Sequence, residues 1–155
     1  MAALGDSLTA LDVYDKEFPT ADGKQLKLSS FAGKPIVVFF FPKAATPGCT
    51  KEACKFRDEY EVFKQAGAAV IGVSGDKCAD NASFASAQRL TYPLLTDEGA
   101  ALRKALGVKR DLFGLLPGRQ SFVFDKEGKN VMVFRSQMNA EQHVAEALKV
   151  VKSLT

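Results

Sequence analysis

Pro35-Ile36-Val37-Val38-Phe39-Phe40-Phe41 runs directly into Pro42-Lys43-Ala44-Ala45-Thr46-Pro47-Gly48-Cys49. The first part is an unbroken apolar run of β-branched and aromatic residues, which predicts a strand buried on both faces. A turn marked by proline and glycine follows. Cys49, Ala53, Phe56, Tyr60 and Phe63 then recur at spacings of four and three, the stripe of an amphipathic helix. A cysteine at a helix start faces free N–H groups and the positive end of the helix dipole, which favour thiolate over thiol. Because the thiolate is the nucleophile, Cys49 reads as a reactive thiol and not as a small buried hydrophobe.

Outward from this stretch, strands are expected over 69–74, 121–124 and 130–134, the last two joined as a hairpin through Asp125-Lys126-Glu127-Gly128-Lys129. Asp97 is positioned to cap a helix carrying Leu102, Ala105 and Leu106, with Gly107 ending it. Asn139, with Gln142 three residues later, starts a last helix bearing Val144, Ala147, Leu148, Val151 and Leu154. Leu26 and Leu28 alternate after the turn-prone pair Asp22-Gly23. Strands alternating with helices and closed by an antiparallel hairpin imply an α/β sandwich around a central mixed sheet, compatible with a thioredoxin-like layout.

The 155 residues suit one domain, 1–155, large enough for a core without disulfide staples. A net charge of +3 is spread along the chain, and the longest basic run is Lys109-Arg110, so neither nucleic acid nor a membrane surface is expected as a partner. The apolar run 36–41 is too short to span a bilayer. Three cysteines do not form the paired framework of a small secreted protein, and a reducing compartment or a dedicated reductant fits them better. The N-terminus lacks a basic start followed by an apolar core. The expected location is cytoplasmic, or plastid if a transit peptide has been removed.

Cys54 lies five residues after Cys49. On one intact helix that offset is about 7.5 Å of rise and about 140° past a full turn. The Cα separation then exceeds the roughly 7 Å that a disulfide spans. A bond between the two demands unwinding, a cost suited to a catalytic intermediate. The other reading of Cys54 is an unreactive thiol on the helix surface. Cys78 has no activating neighbours in sequence and reads as an incidental thiol, a second resolving cysteine being the alternative. A protease-like cysteine needs a histidine base. His143 is the one histidine, and it is expected as an exposed residue of the last helix. No Cys-x-x-Cys spacing accompanies it, so no metal and no cofactor are expected. Activation then falls to a permanent cation. Arg119, after the turn Pro117-Gly118 and before a buried strand, is the candidate, a solvated loop arginine being the equal alternative.

Pro42-x-x-x-Thr46-x-x-Cys49 resembles the active-site motif of peroxiredoxins. The Cys-x4-Cys spacing, Thr46-Pro47-Gly48-Cys49-Thr50, Gly72-Val73-Ser74-Gly75-Asp76, Asp111-Leu112-Phe113-Gly114 and Pro117-Gly118-Arg119-Gln120 are similar to the peroxiredoxin Q, or bacterioferritin comigratory protein, branch. The resemblance implies a thioredoxin-like fold with a peroxiredoxin-type N-terminal extension. It also implies a peroxidase that reduces hydrogen peroxide and alkyl hydroperoxides, needs no metal or haem, and exists as a monomer or weak dimer. By the same resemblance Cys49 is the peroxidatic cysteine and Cys54 the resolving one, the sulfenic acid on Cys49 closing to an intramolecular disulfide. Thioredoxin or a related dithiol would recycle it. Thr46 would hydrogen-bond thiolate and peroxide, Arg119 would hold the thiolate and polarise the peroxide, and Pro42, Pro47 and the backbone at Gly48 would shape the peroxide site. Phe113, Leu115 and Leu116 are candidates for an apolar patch beside it, core packing being the alternative. Two rivals differ in class. A thioredoxin-type relay would carry Cys-x-x-Cys, which is absent; a redox sensor or holdase would use the same oxidation without rapid turnover.

Overall fold

Phe39, at the middle of the apolar run, sits where the two layers of the core are easiest to see. The computed structural model describes residues 4–108, 110 and 118–154. The run forms β3 (Ile36–Phe40), after a short hairpin of β1 (Phe18–Pro19) and β2 (Gln25–Leu26) turned at Gly23. Then follow α1 (Pro47–Gln65), β4 (Ala69–Ser74), α2 (Cys78–Ala87), β5 (Leu94–Thr96) and α3 (Ala101–Leu106). The chain closes with β6 (Gln120–Phe124), β7 (Asn130–Arg135) and α4 (Ala140–Ser153). Five strands make one sheet in the order β5-β4-β3-β6-β7. β4 lies parallel to β3 and β5, while β6 is antiparallel to β3 and β7 to β6, so the sheet is mixed.

Alternation along β3 divides the core. Val37 and Phe39, with Phe41 just beyond the strand, pack with Ala53, Phe56 and Phe63 of α1 and with Val144, Ala147 and Val151 of α4. Ile36, Val38 and Phe40 face the opposite layer with Leu102 and Leu106 of α3 and the N-terminal residues Leu8, Val13 and Leu28. Both faces of β3 are fully covered, which is why its sequence shows no polar alternation. The ring of Phe39 stacks on Phe56 at 4.2 Å and meets Tyr92 edge-on at 5.6 Å. Such pairs contribute about 0.5–1.5 kcal/mol each beyond their buried area.

Several expected elements form with small differences. The hairpin β6–β7 is present, and the strand over 69–74 is present as expected. Asp97 does cap α3, its two carboxylate oxygens accepting from the N–H groups of Leu102 and Arg103 at 2.8 and 3.0 Å. A 3-10 turn, Glu98–Ala100, intervenes, and Gly107 ends the helix at φ 71°. α4 starts after Asn139, but the Asn139 side chain makes no capping bond, and Leu154 is exposed beyond the last turn. α2 and β5 carry too little periodicity to be read from the sequence. Asn81 fastens them, accepting from Ser74 Oγ at 2.9 Å and donating to Thr96 Oγ1 at 3.0 Å. The motif Asp111-Leu112-Phe113-Gly114 and the apolar residues Leu115 and Leu116 lie outside the described residues.

Gly72 on β4 pairs in register with Phe39, and a Cβ there would lie 2.8 Å from Phe39 Cζ. The ring is locked between Phe56 and Tyr92 and has little room to retreat. Gly72→Ala is expected to destabilise the fold by about 1–3 kcal/mol, the usual cost of overpacking a dense core. Urea unfolding followed by circular dichroism measures it; a midpoint equal to that of the parent protein would refute the close packing.

Candidate active site

Phe41 leaves the sheet at the end of β3, and six residues later the chain has turned into a helix. Two backbone fastenings hold this turn. Arg103, whose guanidinium lies over the Phe40 ring at 5.4 Å, donates to the carbonyl oxygens of Phe41 at 2.9 Å and Gly118 at 2.8 Å. Asp76 accepts from the Ala44 N–H at 2.8 Å. Between them Ala45 adopts φ 64°, a left-handed conformation that costs a residue with a Cβ and persists only where neighbours impose it. Burial shifts the Arg103 pKa down to about 10, which leaves it a cation.

Thr46 is the N-cap position of α1, with Pro47 at N1, yet its side chain makes no cap bond. Its hydroxyl donates instead to Lys43 O at 2.7 Å. This departs from the expected bond to the Cys49 sulfur: the hydroxyl proton is committed to the turn, and its lone pairs remain as acceptors. The first backbone bond of the helix runs from Thr50 N–H to Thr46 O at 2.8 Å. Gly48 and Cys49 therefore supply N–H groups in the first turn, where a helix offers no internal acceptors. Pro47 is exposed and Pro42 half-buried at the margin.

Cys49 is 1% exposed. Arg119 Nη2 donates to its sulfur at 3.3 Å across 70 residues of sequence, and the residue is buried, not a solvated loop arginine. Gly48 makes room for this approach, since a Cβ there would meet Arg119 Nη2 at 3.1 Å. Arg119 also donates through Nη1 to Glu52 Oε1 at 2.7 Å and through Nε to Gln137 O at 3.1 Å. Burial opposes its charge, but Glu52 and Cys49 more than offset that, and its pKa is raised.

Glu52 was not among the expected residues, although it lies three residues after Cys49 and four before Phe56, on the helix stripe. A charged residue on an apolar stripe was the available signal. Burial pushes the Glu52 pKa up to about 8, against the lowering pull of Arg119. His143 corrects a second expectation. It is fully buried, not exposed, because it lies with Ala140, Val144 and Ala147 on the inner face of α4. Its Nε2 is 2.8 Å from Ser136 O and its Nδ1 2.8 Å from Ser121 Oγ. Burial lowers its pKa to about 4, so the ring is neutral.

Cys54 lies on α1 with Cys49, half-buried, its thiol donating to Gln88 Oε1 at 3.3 Å. The helix is intact between the two, so the separation required for a disulfide is not met here. Cys78 begins α2, and all three cysteines are free. A groove of about 520 Å³, lined by residues such as Ala21, Leu26, Ala85 and Pro93, contains none of these side chains. A cleft of about 430 Å³ lies closer, between Lys43, Ala44 and Ala45 on one side and Phe84 and Gln88 on the other.

The Glu52 and His143 shifts oppose each other in acid. Between pH 4.5 and 6.5 the unfolded chain carries an imidazolium and a carboxylate, whereas the fold holds an imidazole and a carboxylic acid. Proton counts are equal, so the pair adds no slope to stability there. In Glu52→Gln only His143 remains, and the unfolded state binds a proton the fold rejects. Stability of that variant should fall by about 1.4 kcal/mol per pH unit as pH drops from 6.5 toward 4. Urea titrations at several pH values measure the slope, and a Glu52→Gln variant as flat as its parent would contradict the pairing.

The chain is similar to known proteins over most of its length. The AhpC/TSA family model matches residues 10–132. Chloroplastic peroxiredoxin Q of Populus jackii is 53% identical over 133 residues, 86% of this chain, which spans 62% of that protein's length. The crystal structure of peroxidoxin BcpB from Mycobacterium tuberculosis superposes with a TM-score of 0.87 at 37% identity, covering 100% of this chain and 99% of that one. A Xanthomonas campestris bacterioferritin comigratory protein, solved in a study of its alkyl peroxide reduction activity, gives 0.85 at 29% identity over 96% of this chain and 98% of its own. With its thioredoxin-type α/β fold, the chain belongs to the AhpC/TSA family and, within it, to the peroxiredoxin Q/bacterioferritin comigratory protein branch.

Proposed function

We propose that the protein is a thiol-dependent peroxidase, with Cys49 as nucleophile and Cys54 as resolving cysteine. The observation that carries this reading is the Arg119 guanidinium 3.3 Å from the buried Cys49 sulfur at the start of α1. A fixed cation there lies where charge develops when sulfur attacks one peroxide oxygen and the O–O bond breaks. The Cys49 thiolate supplies the electron pair, the attacked oxygen becomes its sulfenic acid, and the departing alkoxide or hydroxide takes a proton from water. Gly48 and Cys49 N–H groups donate to the peroxide oxygens, and Thr46 Oγ, its proton held by Lys43 O, accepts the peroxide O–H. Pro42 and Pro47 border this space.

Cys54 then attacks the sulfenic sulfur, water leaves, and a Cys49–Cys54 disulfide closes. Because both residues stand on one helix, the first turns of α1 must unwind for this step. An external dithiol, thioredoxin or a relative of it, reduces the disulfide by exchange. Hydrogen peroxide is the simplest substrate for this chemistry, and the alkyl peroxide reduction of the Xanthomonas relative supports organic hydroperoxides as well. The names of the plant relatives support the plastid as the compartment.

Cys49→Ser should abolish peroxide reduction, and substantial remaining turnover would overturn the assignment. Cys54→Ser should react once with peroxide and then stall as a sulfenic acid. Mass spectrometry after one equivalent of hydrogen peroxide should locate a Cys49–Cys54 bond in the parent protein. A bond to Cys78 in its place would move the resolving role to that residue.

A further inference from the structure

Cys49 and Glu52 are both acids, and both are bonded to the one guanidinium of Arg119, through Nη2 and Nη1. The second carboxyl oxygen, Glu52 Oε2, is buried without a hydrogen-bond partner among the described residues and lies 3.5 Å from His143 Nδ1. Nε2 of that ring faces the carbonyl oxygen of Ser136, which can only accept, so Nε2 carries the hydrogen of the neutral ring. Nδ1 is then a bare lone pair, accepting from the Ser121 hydroxyl. Glu52 Oε2 therefore faces a nitrogen with no proton to give. An ionised Glu52 would set an unsatisfied buried oxygen against that lone pair. A protonated Glu52 keeps Oε1 as acceptor for Arg119 and leaves no full negative charge on Oε2 against the ring. Burial favours the same state, with a pKa of about 8.

Beyond Arg119, the groups around Glu52 among the described residues supply no further compensating charge. Tyr92, ahead of β5, donates its hydroxyl to Ala53 O, and burial, reinforced by Glu52, raises its pKa well above the ordinary value. Lys51 of α1 and Glu141 of α4 pair with each other at 3.5 Å in solvent. Cys49 on the same helix, Arg119 before β6 and His143 on α4 complete the titratable and charged surroundings among the described residues.

We propose that Glu52 is a positioning residue that sets how much of the Arg119 charge reaches the reacting sulfur. As a neutral acid it leaves the guanidinium to Cys49 and the peroxide; as a carboxylate it draws the guanidinium toward itself. The change moves one proton, from Oε2 to base in solution, leaves the electron pair on the carboxylate, and alters no oxidation state. Glu52 touches neither peroxide nor sulfur and acts through Arg119 alone. The proposal rests on the peroxidase reading given above.

The test follows the rate at which reduced protein reacts with hydrogen peroxide, by stopped flow from about pH 6 to 10, for the parent and Glu52→Gln. The parent rate should decline above about pH 8, to about a tenth of its plateau one unit higher. Glu52→Gln, permanently neutral, should lose that decline and react about tenfold faster than the parent at that pH. Superimposable profiles, or a decline shared by both proteins, would overturn the proposal. A readout independent of activity is the infrared C=O stretch of a buried carboxylic acid, expected in the parent at pH 7 and absent in Glu52→Gln. A missing band in the parent overturns the proposal. So does a nitrogen NMR spectrum showing His143 protonated on both nitrogens at neutral pH. A parent that fails to react with peroxide at any pH defeats the peroxidase reading instead, while the infrared band still decides where the proton sits. If Glu52→Gln does not fold, the band's disappearance with pH in the parent must track the fall in rate, and separate midpoints would overturn the coupling.

Discussion

Burying a guanidinium is costly unless acids and acceptors surround it, and Arg119 is bonded through Nε, Nη1 and Nη2 to elements distant in sequence. Cys49 and Glu52 come from one helix, and Gln137 O comes from the loop after β7. The Ser136 N–H bonds back to Arg119 O at 3.2 Å, tying the same loop to the start of β6. Remove any of these and a buried charge loses part of its support, at a cost of several kcal/mol for an uncompensated buried ion. The arrangement of α1, the start of β6 and the loop that leads into α4 is thus bound to a single side chain. The same bonds that satisfy Arg119 aim it at the sulfur, so stability and reactivity draw on one set of contacts.

Much of this was legible in the chain. The run from Ile36 to Phe41 is apolar on both faces because both faces are covered, and the stripe from Cys49 to Phe63 marks the helix that covers one of them. Those two signals by themselves put a cysteine at a strand-to-helix turn. Arg119 was legible only as one of two equal readings, since a loop arginine looks the same whether it faces water or a sulfur. What stayed hidden was polar. Glu52 and His143 each occupy a core position of an amphipathic helix, and their types argue for solvent where their spacing argues for the interior. Asn81 and Arg103 were hidden for the same reason, in helices of ten and six residues whose periodicity is too short to overrule residue type. Such side chains are buried because partners meet them, and the hydrogen-bond partners lie 7 to 67 residues away.

The turn before Cys49 shows how that dependence works at the backbone. Ala45 holds a left-handed conformation with no glycine to ease it, and Thr46 leaves its usual capping role. Asp76 and Arg103, from loops and helices on either side of the sheet, supply the bonds that impose this shape. The consequence is chemical. A Thr46 hydroxyl that capped the helix would occupy N–H groups in the first turn, and bonding it to Lys43 O keeps those donors open.

The opposition between a fixed site and a helix that must open is settled by where α1 is fastened. Toward its middle the helix is clamped: Tyr92 donates to Ala53 O at 2.7 Å, Arg57 donates to Gln88 O at 2.6 Å, and the Cys54 thiol bonds the Gln88 side chain. Its first turn is held differently, by the Arg119 contacts to Cys49 and Glu52. In the proposed cycle, peroxide converts the Cys49 thiolate into a neutral sulfenic acid and so removes the charge on one side of Arg119. Only the fastening of the first turn depends on that charge. The bonds at Ala53, Cys54 and Arg57 are untouched by oxidation at Cys49. In that proposed cycle, loosening would begin at the N-terminal turn and run toward Cys54, the proposed resolving thiol. A helix secured throughout by apolar packing would have no such direction. An ionic fastening at one end makes the state of the sulfur and the integrity of the first turn the same variable.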